Sequence, residues 1–351
     1  MTFVGWIDGE GSVRVAEVDK DGHVRTALLH ADLGIDDHNN PAILVRSDGR
    51  LQVFYSRHGG GKMFFRIGDD ITSWGPEHQI PSNTDGRRGF TYPNPVQLSA
   101  ENDRIHLFWR GGNFKPAFST SRDGLQWAQA KTLVEVPKGR PYVKIASDGV
   151  DTIHMAFTNS HPREGASSIH YARYKDGKWF RADGTRMPDP PFKPGDADTI
   201  WDVTKRHHHA WIHDVAFDAS GKPRLVYAVF HSNTDHRYRH ARWNGSSWED
   251  RQVVAAGPFF DDDGGEVQYS GGIVFDHADP RTVYLSRKLS GQFQVERWRT
   301  MDGGKKWSHT SLTKGSLEKN VRPFVARGGG PMWMRGGYIN FRQYRTAIIA
   351  R

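Results

Sequence analysis

The stretch Thr300-Met301-Asp302-Gly303-Gly304-Lys305-Lys306-Trp307 joins a tight turn to an aromatic anchor. Glycine tolerates positive φ and aspartate hydrogen-bonds the backbone of its own turn, so this segment reverses the chain between two strands. Trp307 then supplies a large ring that needs a neighbouring sheet to cover it. The element recurs: Ser121-Arg122-Asp123-Gly124 precedes Trp127, Lys175-Asp176-Gly177 precedes Trp179, and Asn244-Gly245 precedes Trp248.

Each copy ends a longer template of a strand, a turn, a second strand rich in aromatics, a third strand, the tight turn and a last strand. Full copies run from His38 to about Ile80 (with Trp74 near its end), from Tyr92 to Val134, from Arg140 to about Gly184, from His209 to Val254 and from Gln268 to Leu312. They begin roughly 50 to 70 residues apart, the spacing of propeller blades with loop insertions. The chain ends are partial copies, with strands at Phe3–Ile7, Val13–Val18 and Val24–Leu29, and at Arg322–Ala326, Met332–Arg335 and Thr346–Ala350. Five full and two partial copies predict an all-β, seven-bladed β-propeller; fusing the two ends into one blade would make six. One domain over residues 1–351 is expected, closed by pairing of the N- and C-terminal strands, which removes free sheet edges. The proline-rich stretch from Met187 to Lys205 reads as a long surface loop, because the repeat resumes in register after it.

Composition agrees. The 351 residues are 36% hydrophobic and 12% aromatic, with 38 Gly, which suits a large, turn-rich β core. No apolar run reaches the about eighteen residues of a membrane-spanning helix, and Thr2 to Asp8 reads as a strand rather than a signal peptide. The absence of Cys excludes disulfides and thiolate metal sites. A formal charge of +8 suggests an anionic partner. The cationic residues are dispersed, with no basic arm, which disfavours nucleic acid and leaves an acidic polysaccharide.

The polar positions fall at equivalent places in the repeat. Asp36-Asp37-His38-Asn39-Asn40-Pro41 feeds one strand, and Leu51 to Tyr55 leads into Ser56-Arg57-His58-Gly59. In an antiparallel hairpin these ends lie side by side, so His38 and His58 share one sheet edge. The next copy opens on Thr91-Tyr92-Pro93-Asn94-Pro95, and its second strand ends in Trp109-Arg110-Gly111. Tyr92 is thus the counterpart of His38, and Arg110 that of His58. The third copy adds Arg140-Pro141-Tyr142-Val143-Lys144 and Ser160-His161-Pro162-Arg163. Each residue also has a plainer reading: Tyr92 as packing, Arg110 paired with a structural Asp, Lys144 and Arg163 as ordinary surface. Two further clusters carry less weight. His207-His208-His209 with His213 alternates faces along a strand and so cannot all meet one ion. Asp261-Asp262-Asp263-Gly264-Gly265-Glu266 lacks the ligand spacing of a Ca²⁺ loop and reads as a solvated turn.

The segment from Thr300 to Trp307 fits the Asp box of BNR repeats, an architectural pattern. The paired rim motifs are more specific. Asp-Asp-His-Asn-Asn-Pro with Phe-Tyr-Ser-Arg-His-Gly, Thr-Tyr-Pro-Asn-Pro-Val with Phe-Trp-Arg-Gly, Arg-Pro-Tyr-Val-Lys and Ser-His-Pro-Arg resemble the BNR-4 group of β-propeller polysaccharide lyases, which includes ulvan lyases and rhamnosyl-glucuronate lyases. Related propellers act as α-L-rhamnosidases. The resemblance covers most of the chain and implies seven blades. It places His38, His58, Tyr92 and Arg110 in the order of that group's two His, Tyr and Arg. Some relatives hold a structural metal partly through Cys; this chain has none, so no metal ligand is assigned and no cofactor is expected to be required, although a structural divalent cation stays open.

The implied reaction is β-elimination at a uronate, which needs a base for the C5 proton, an acid for the leaving oxygen and a cation on the carboxylate. Arg110 suits the carboxylate, which it can grip with two N–H groups. His38, His58 and Tyr92 suit the proton transfers, with a nearby Arg expected to lower the Tyr pKa. Asn40, Asn94, Tyr142, Lys144, His161, Arg163 and Arg88 are the candidate substrate binders, and Arg87 stands beside the last of these. The expected protein is a monomeric, extracellular lyase of an anionic, rhamnose- and glucuronate-containing polysaccharide, with no nucleic-acid or membrane partner. A glycoside hydrolase of the α-L-rhamnosidase type using His38, with Asp36 and Asp37 available but no clear second carboxylate partner, and a non-catalytic carbohydrate-binding propeller are the alternatives.

Overall fold

The computed structural model describes every residue except 84–87 and 327. Seven antiparallel sheets follow one another along the chain and form a ring, a seven-bladed β-propeller. The first and seventh blades have three strands each (Thr2–Ile7, Val13–Val18, Val24–His30; Lys319–Val325, Pro331–Asn340, Gln343–Ala350). The five between open on Ala42–Val45, Thr91–Leu98, Val143–Ser147, Ala210–Phe217 and Ile273–Phe275. From the first blade to the seventh, each opening strand touches that of the next blade, so these strands line the axis.

The second strands show why the sequence reads as nearly continuous apolar runs. A blade is covered on both faces, so alternate residues of one strand serve two neighbours. In Arg104–Arg110, Ile105, Leu107 and Trp109 pack with Phe54 and Phe65 of the second blade, whereas Phe108 packs with Ile153, Met155 and Phe157 of the fourth. The outer Trp residues complete each interface. Trp127 meets Phe54 edge-on at 5.7 Å, and Trp248 meets Tyr171 at 5.2 Å, each reaching back to the preceding blade. The turns are built as their residues demand. Gly124 has φ of 82°, its N–H donates to Ser121 Oγ, and Asp123 Oδ1 accepts from the N–H groups of Leu125 and Gln126.

Two expectations need correction. No strand ladder among the described residues joins the chain ends; blades one and seven are separate sheets. The seventh blade is instead fastened to the loop that precedes the second. Asp37 N–H donates to Phe341 O, and the Asp37 carboxylate accepts from Tyr338 Oη (2.6 Å) and pairs with Arg322 (2.9 Å). The stretch from Met187 to Lys205 is more than a surface loop. The outer strand Lys178–Phe180 covers only one end of Ile169–Lys175, and Asp198–Trp201 covers the other. An open sheet edge is thereby closed, and the apolar Phe192 is fully buried on the way.

Candidate active site

One residue near the start of each of blades two to six points to a common centre. Ring centroids of His38 and Tyr92 are 5.8 Å apart, Tyr92 and Tyr142 5.5 Å, Tyr142 and Trp211 5.1 Å, Trp211 and Tyr269 5.8 Å, and Tyr269 and His38 6.3 Å. The aromatic circle closes on itself around the axis. Arg322 of the seventh blade lies over Tyr269 at 5.0 Å.

His38 sits in a 3-10 turn, Asp37–Asn39, that Asp36 caps by accepting the His38 N–H. The same carboxylate accepts from both imidazoles: His38 Nδ1 donates to Oδ1 at 2.6 Å, and His58 Nδ1 to Oδ2 at 3.0 Å. Asn39, next to the Asn40 singled out above, is the one that works here. It is buried, and it takes the His58 N–H at 2.6 Å while donating to Gly34 O. Asn40 is exposed. The two rings stack with centroids 4.0 Å apart and planes within 22°, and Phe341 closes on both. Tyr269 Oη donates to His38 Nε2 at 2.7 Å. His58 Nε2 makes no hydrogen bond among the described residues.

Tyr92 occupies a bulge in its strand with φ of 58°, a left-handed conformation rare outside glycine. Asn94 Nδ2 donates to Tyr92 O at 2.8 Å, so Asn94 supports this backbone. Arg110 ends the second strand of the same blade and is only 3% exposed. Its Nε donates to Gly89 O (2.9 Å), Nη1 reaches Tyr142 Oη at 3.4 Å, and its guanidinium stands 5.0 Å from the Tyr92 ring centroid. Nη2 is buried with no hydrogen-bond partner among the described residues.

The other expected binders divide. His161 is buried against Tyr142 and Trp211, and its Nδ1 accepts the Arg163 N–H. Arg163 is committed to Glu266 (2.5 Å) and Gly265 O, so it is no free cation. Lys144 lies on the channel-lining strand Val143–Ser147, accessible yet surrounded by channel walls that hold its ammonium below the usual lysine range. Arg88 is exposed, and Arg87 lies outside the described residues. The segment from Asp261 to Glu266 is a turn with Asp262, Asp263 and Gly265 exposed, as expected, but its two ends are not solvated. Asp261 and Glu266 are buried, Asp261 accepts the Glu266 N–H, and both line a cavity of about 330 Å³ with Phe341 and Arg342. Tyr269 and Arg322 were missed from sequence. Tyr269 stands near the start of the fifth full copy, and Arg322-Pro323 repeats the Tyr92-Pro93 pattern, with φ of 52° at Arg322. Both signals were readable by extending the His38–Tyr92 equivalence round the ring.

Burial decides the electrostatics. It would raise Asp36, but hydrogen bonds from His38 and His58 win and hold that carboxyl well below its usual range. Burial lowers His58, and the pull of Asp36 only partly offsets this. Tyr92 is the correction: burial raises its phenol well above 10, outweighing the opposing charge of Arg110. Burial also raises Glu266, and burial together with Asp263 brings Asp261 to about 6.

Asp36, His38 and His58 offer ligand atoms within 4.8 Å of one another. A metal bound by both Nδ1 atoms must lie in both ring planes, about 2 Å from each nitrogen. Stacked rings 4.0 Å apart provide no such point, whereas the two oxygens of one carboxylate reach both nitrogens. The rim thus combines a neutral imidazole, a neutral phenol and a buried cation with an unpaired N–H.

A family model described as BNR repeat-containing family member matches residues 1–256. No curated protein matches the chain. Among solved structures, a PL25 ulvan lyase bound to -[GlcA(1-4)Rha3S]- is similar with TM-score 0.73 and 14% identity, over 99% of this chain and 89% of that one. The polysaccharide lyase Uly1 gives 0.65 and 14%, over 99% and 87%. An α-L-arabinofuranosidase from Fusarium graminearum gives 0.52 and 11%, over 88% and 91%. A fold shared by lyases and a hydrolase leaves the reaction to be argued from the site.

Proposed function

The chain belongs to the BNR repeat-containing family, and from the chemistry of its rim we propose that it is a polysaccharide lyase acting on an acidic, uronate-containing glycan by β-elimination. The observation that carries this is the Nη2 of Arg110, buried beside the Tyr92 ring without a hydrogen-bond partner among the described residues. A buried guanidinium N–H without a partner costs free energy unless a ligand satisfies it, and a uronate carboxylate does so while gaining negative charge in the transition state.

The protons then have defined places. His58 Nε2 takes the C5 proton, the C5–H electron pair forms the C4–C5 double bond through the carboxylate-stabilised anion, and the C4–O bond breaks. The Tyr92 phenol gives its proton to the departing oxygen. Solvent afterwards takes the proton from His58 and returns one to Tyr92. The raised Tyr92 pKa keeps the phenol a donor at neutral pH, and the lowered His58 pKa keeps that imidazole a base. Arg110 supplies the charge on the carboxylate, so the reading requires no cofactor. The ulvan lyase similarity favours a rhamnose–glucuronate polymer. Such a polymer is met outside the cell, and a closed ring needs no second subunit, so the protein acts there as a monomer.

A second reading has its own support. Asp36 and Asp37 are committed to histidines and to Arg322, but Asp261 and Glu266 are two carboxyls with raised pKa values in one cavity beside Phe341, the kind of pair a hydrolase uses. Incubation with sulfated and unsulfated rhamnose–glucuronate polymers separates the readings. Ultraviolet absorbance from a 4,5-unsaturated uronate supports the lyase; new reducing ends without absorbance support the hydrolase; neither, with measurable binding, leaves a carbohydrate-binding propeller.

A further inference from the structure

We propose that Asp36 is a positioning residue that fixes the tautomers of two histidines at once, presenting the Nε2 lone pair of His58 to the substrate and that of His38 to Tyr269. The consequence for rate rests on the lyase reading; the tautomers do not. Asp36 is buried and has two oxygens facing two stacked rings, one Nδ1–H to each, at 2.6 and 3.0 Å. An ionised carboxylate only accepts, so both imidazoles must carry their proton on Nδ1 when neutral. Each Nε2 is then a lone pair. Tyr269 Oη donates to the one on His38. That engages His38 and leaves His58 as the imidazole able to receive a proton from a ligand.

The neighbouring carboxylate reaches one of the two rings, with Asp37 Oδ1 3.2 Å from His38 Nδ1, whereas Asp36 bridges both. Asp37 Oδ2 is taken by Tyr338 and Arg322 of the seventh blade. Of two adjacent acidic residues, one fastens the ring and the other orients the site. The backbone holds Asp36 to its task, since Oδ1 also caps the turn by accepting the His38 N–H at 3.0 Å.

Asp36→Asn tests the assignment. A carboxamide has one accepting oxygen and one donating nitrogen; the oxygen stays with the His38 N–H and Nδ1, where Asp37 Oδ1 stands 3.2 Å away as a second acceptor, so His58 is the ring that must turn its Nδ1 lone pair to the amide and protonate Nε2. The wild-type protein, with ¹⁵N-labelled histidine, is expected to show His38 and His58 both protonated on Nδ1 in long-range ¹H–¹⁵N spectra above the titration of His58. In Asp36→Asn one of them switches to the Nε2–H form, and kcat falls about 10²- to 10⁴-fold with KM little changed, as when a triad orienter becomes an amide. An Nε2–H form at either residue in the wild-type protein overturns the proposal, as does an Asp36→Asn protein with unchanged tautomers and unchanged kcat. If Asp36→Asn does not fold, the wild-type spectrum decides alone. If no polymer is cleaved, the lyase reading fails while the tautomer result still stands or falls by itself.

Discussion

Arg110 and Tyr92 face each other across one blade, the guanidinium carbon 5.0 Å from the ring centroid. One residue ends a strand and the other sits in a left-handed bulge of the strand paired to it. A cation for the carboxylate and a proton donor for the leaving oxygen are therefore set by the same ladder.

Removing either group separates their roles. Arg110→Ala is expected to lower kcat/KM for elimination about 10³-fold, through loss of charge stabilisation. Tyr92→Phe keeps the ring and removes the proton, so kcat falls about 10²- to 10⁴-fold while KM changes little. Near-normal rates of absorbance increase in both variants would remove the site from the reaction.

His58 sets the acid limb. Its pKa lies below the ordinary 6.5 because burial disfavours the imidazolium, and the base must be neutral. Activity therefore rises with pH through that lowered value and is level from neutral pH upward until well above 10, where Tyr92 ionises. A kcat/KM profile falling between pH 7 and 9 would contradict both assignments. His58→Ala should lose the same activity at every pH.

Acid should unfold the propeller through its buried histidines. His154, His170 and His236 are lowered to about 4, and His161 and His240 to about 3, all chiefly by burial. Between those values and 6.5 the unfolded chain binds more protons than the folded one, so stability falls as pH drops below 6.5. By pH 5 each costs on the order of 2 kcal/mol, and together they rival the about 5–15 kcal/mol of a typical domain. Tryptophan fluorescence and circular dichroism should show cooperative unfolding near pH 5; a native signal held to pH 3 would refute this.

Ring closure depends on Asp37. Breaking a buried pair costs about 3–5 kcal/mol, so Asp37→Ala should lower Tm by about 4–7 °C for a chain of this length. Scanning calorimetry of Asp37→Ala and Arg322→Ala checks it; an unchanged Tm in both would show that the seventh blade is held by other contacts.

Chelation tests the stacked histidines. Dialysis against EDTA should leave both the absorbance assay and the melting temperature unchanged, because the planes of His38 and His58 do not converge on one ion. Loss of activity restored by one divalent metal would overturn that geometry.

The sequence alone determined the blades, their order and the first half of the rim. Turn residues and strand alternation are local, so Asp123-Gly124-Leu125-Gln126-Trp127 announces its own fold, and a hairpin brings His38 to His58 whatever the rest of the chain does. Only the tertiary structure decided what crosses the ring. Tyr269 reaches His38, and Arg322 and Tyr338 reach Asp37, through rotation about the propeller axis, and no spacing along the chain records which blades come to face each other. The choice between Asp36 and Asp37 and the high pKa of Tyr92 were likewise hidden. Both depend on burial, and burial here is made by residues from other blades.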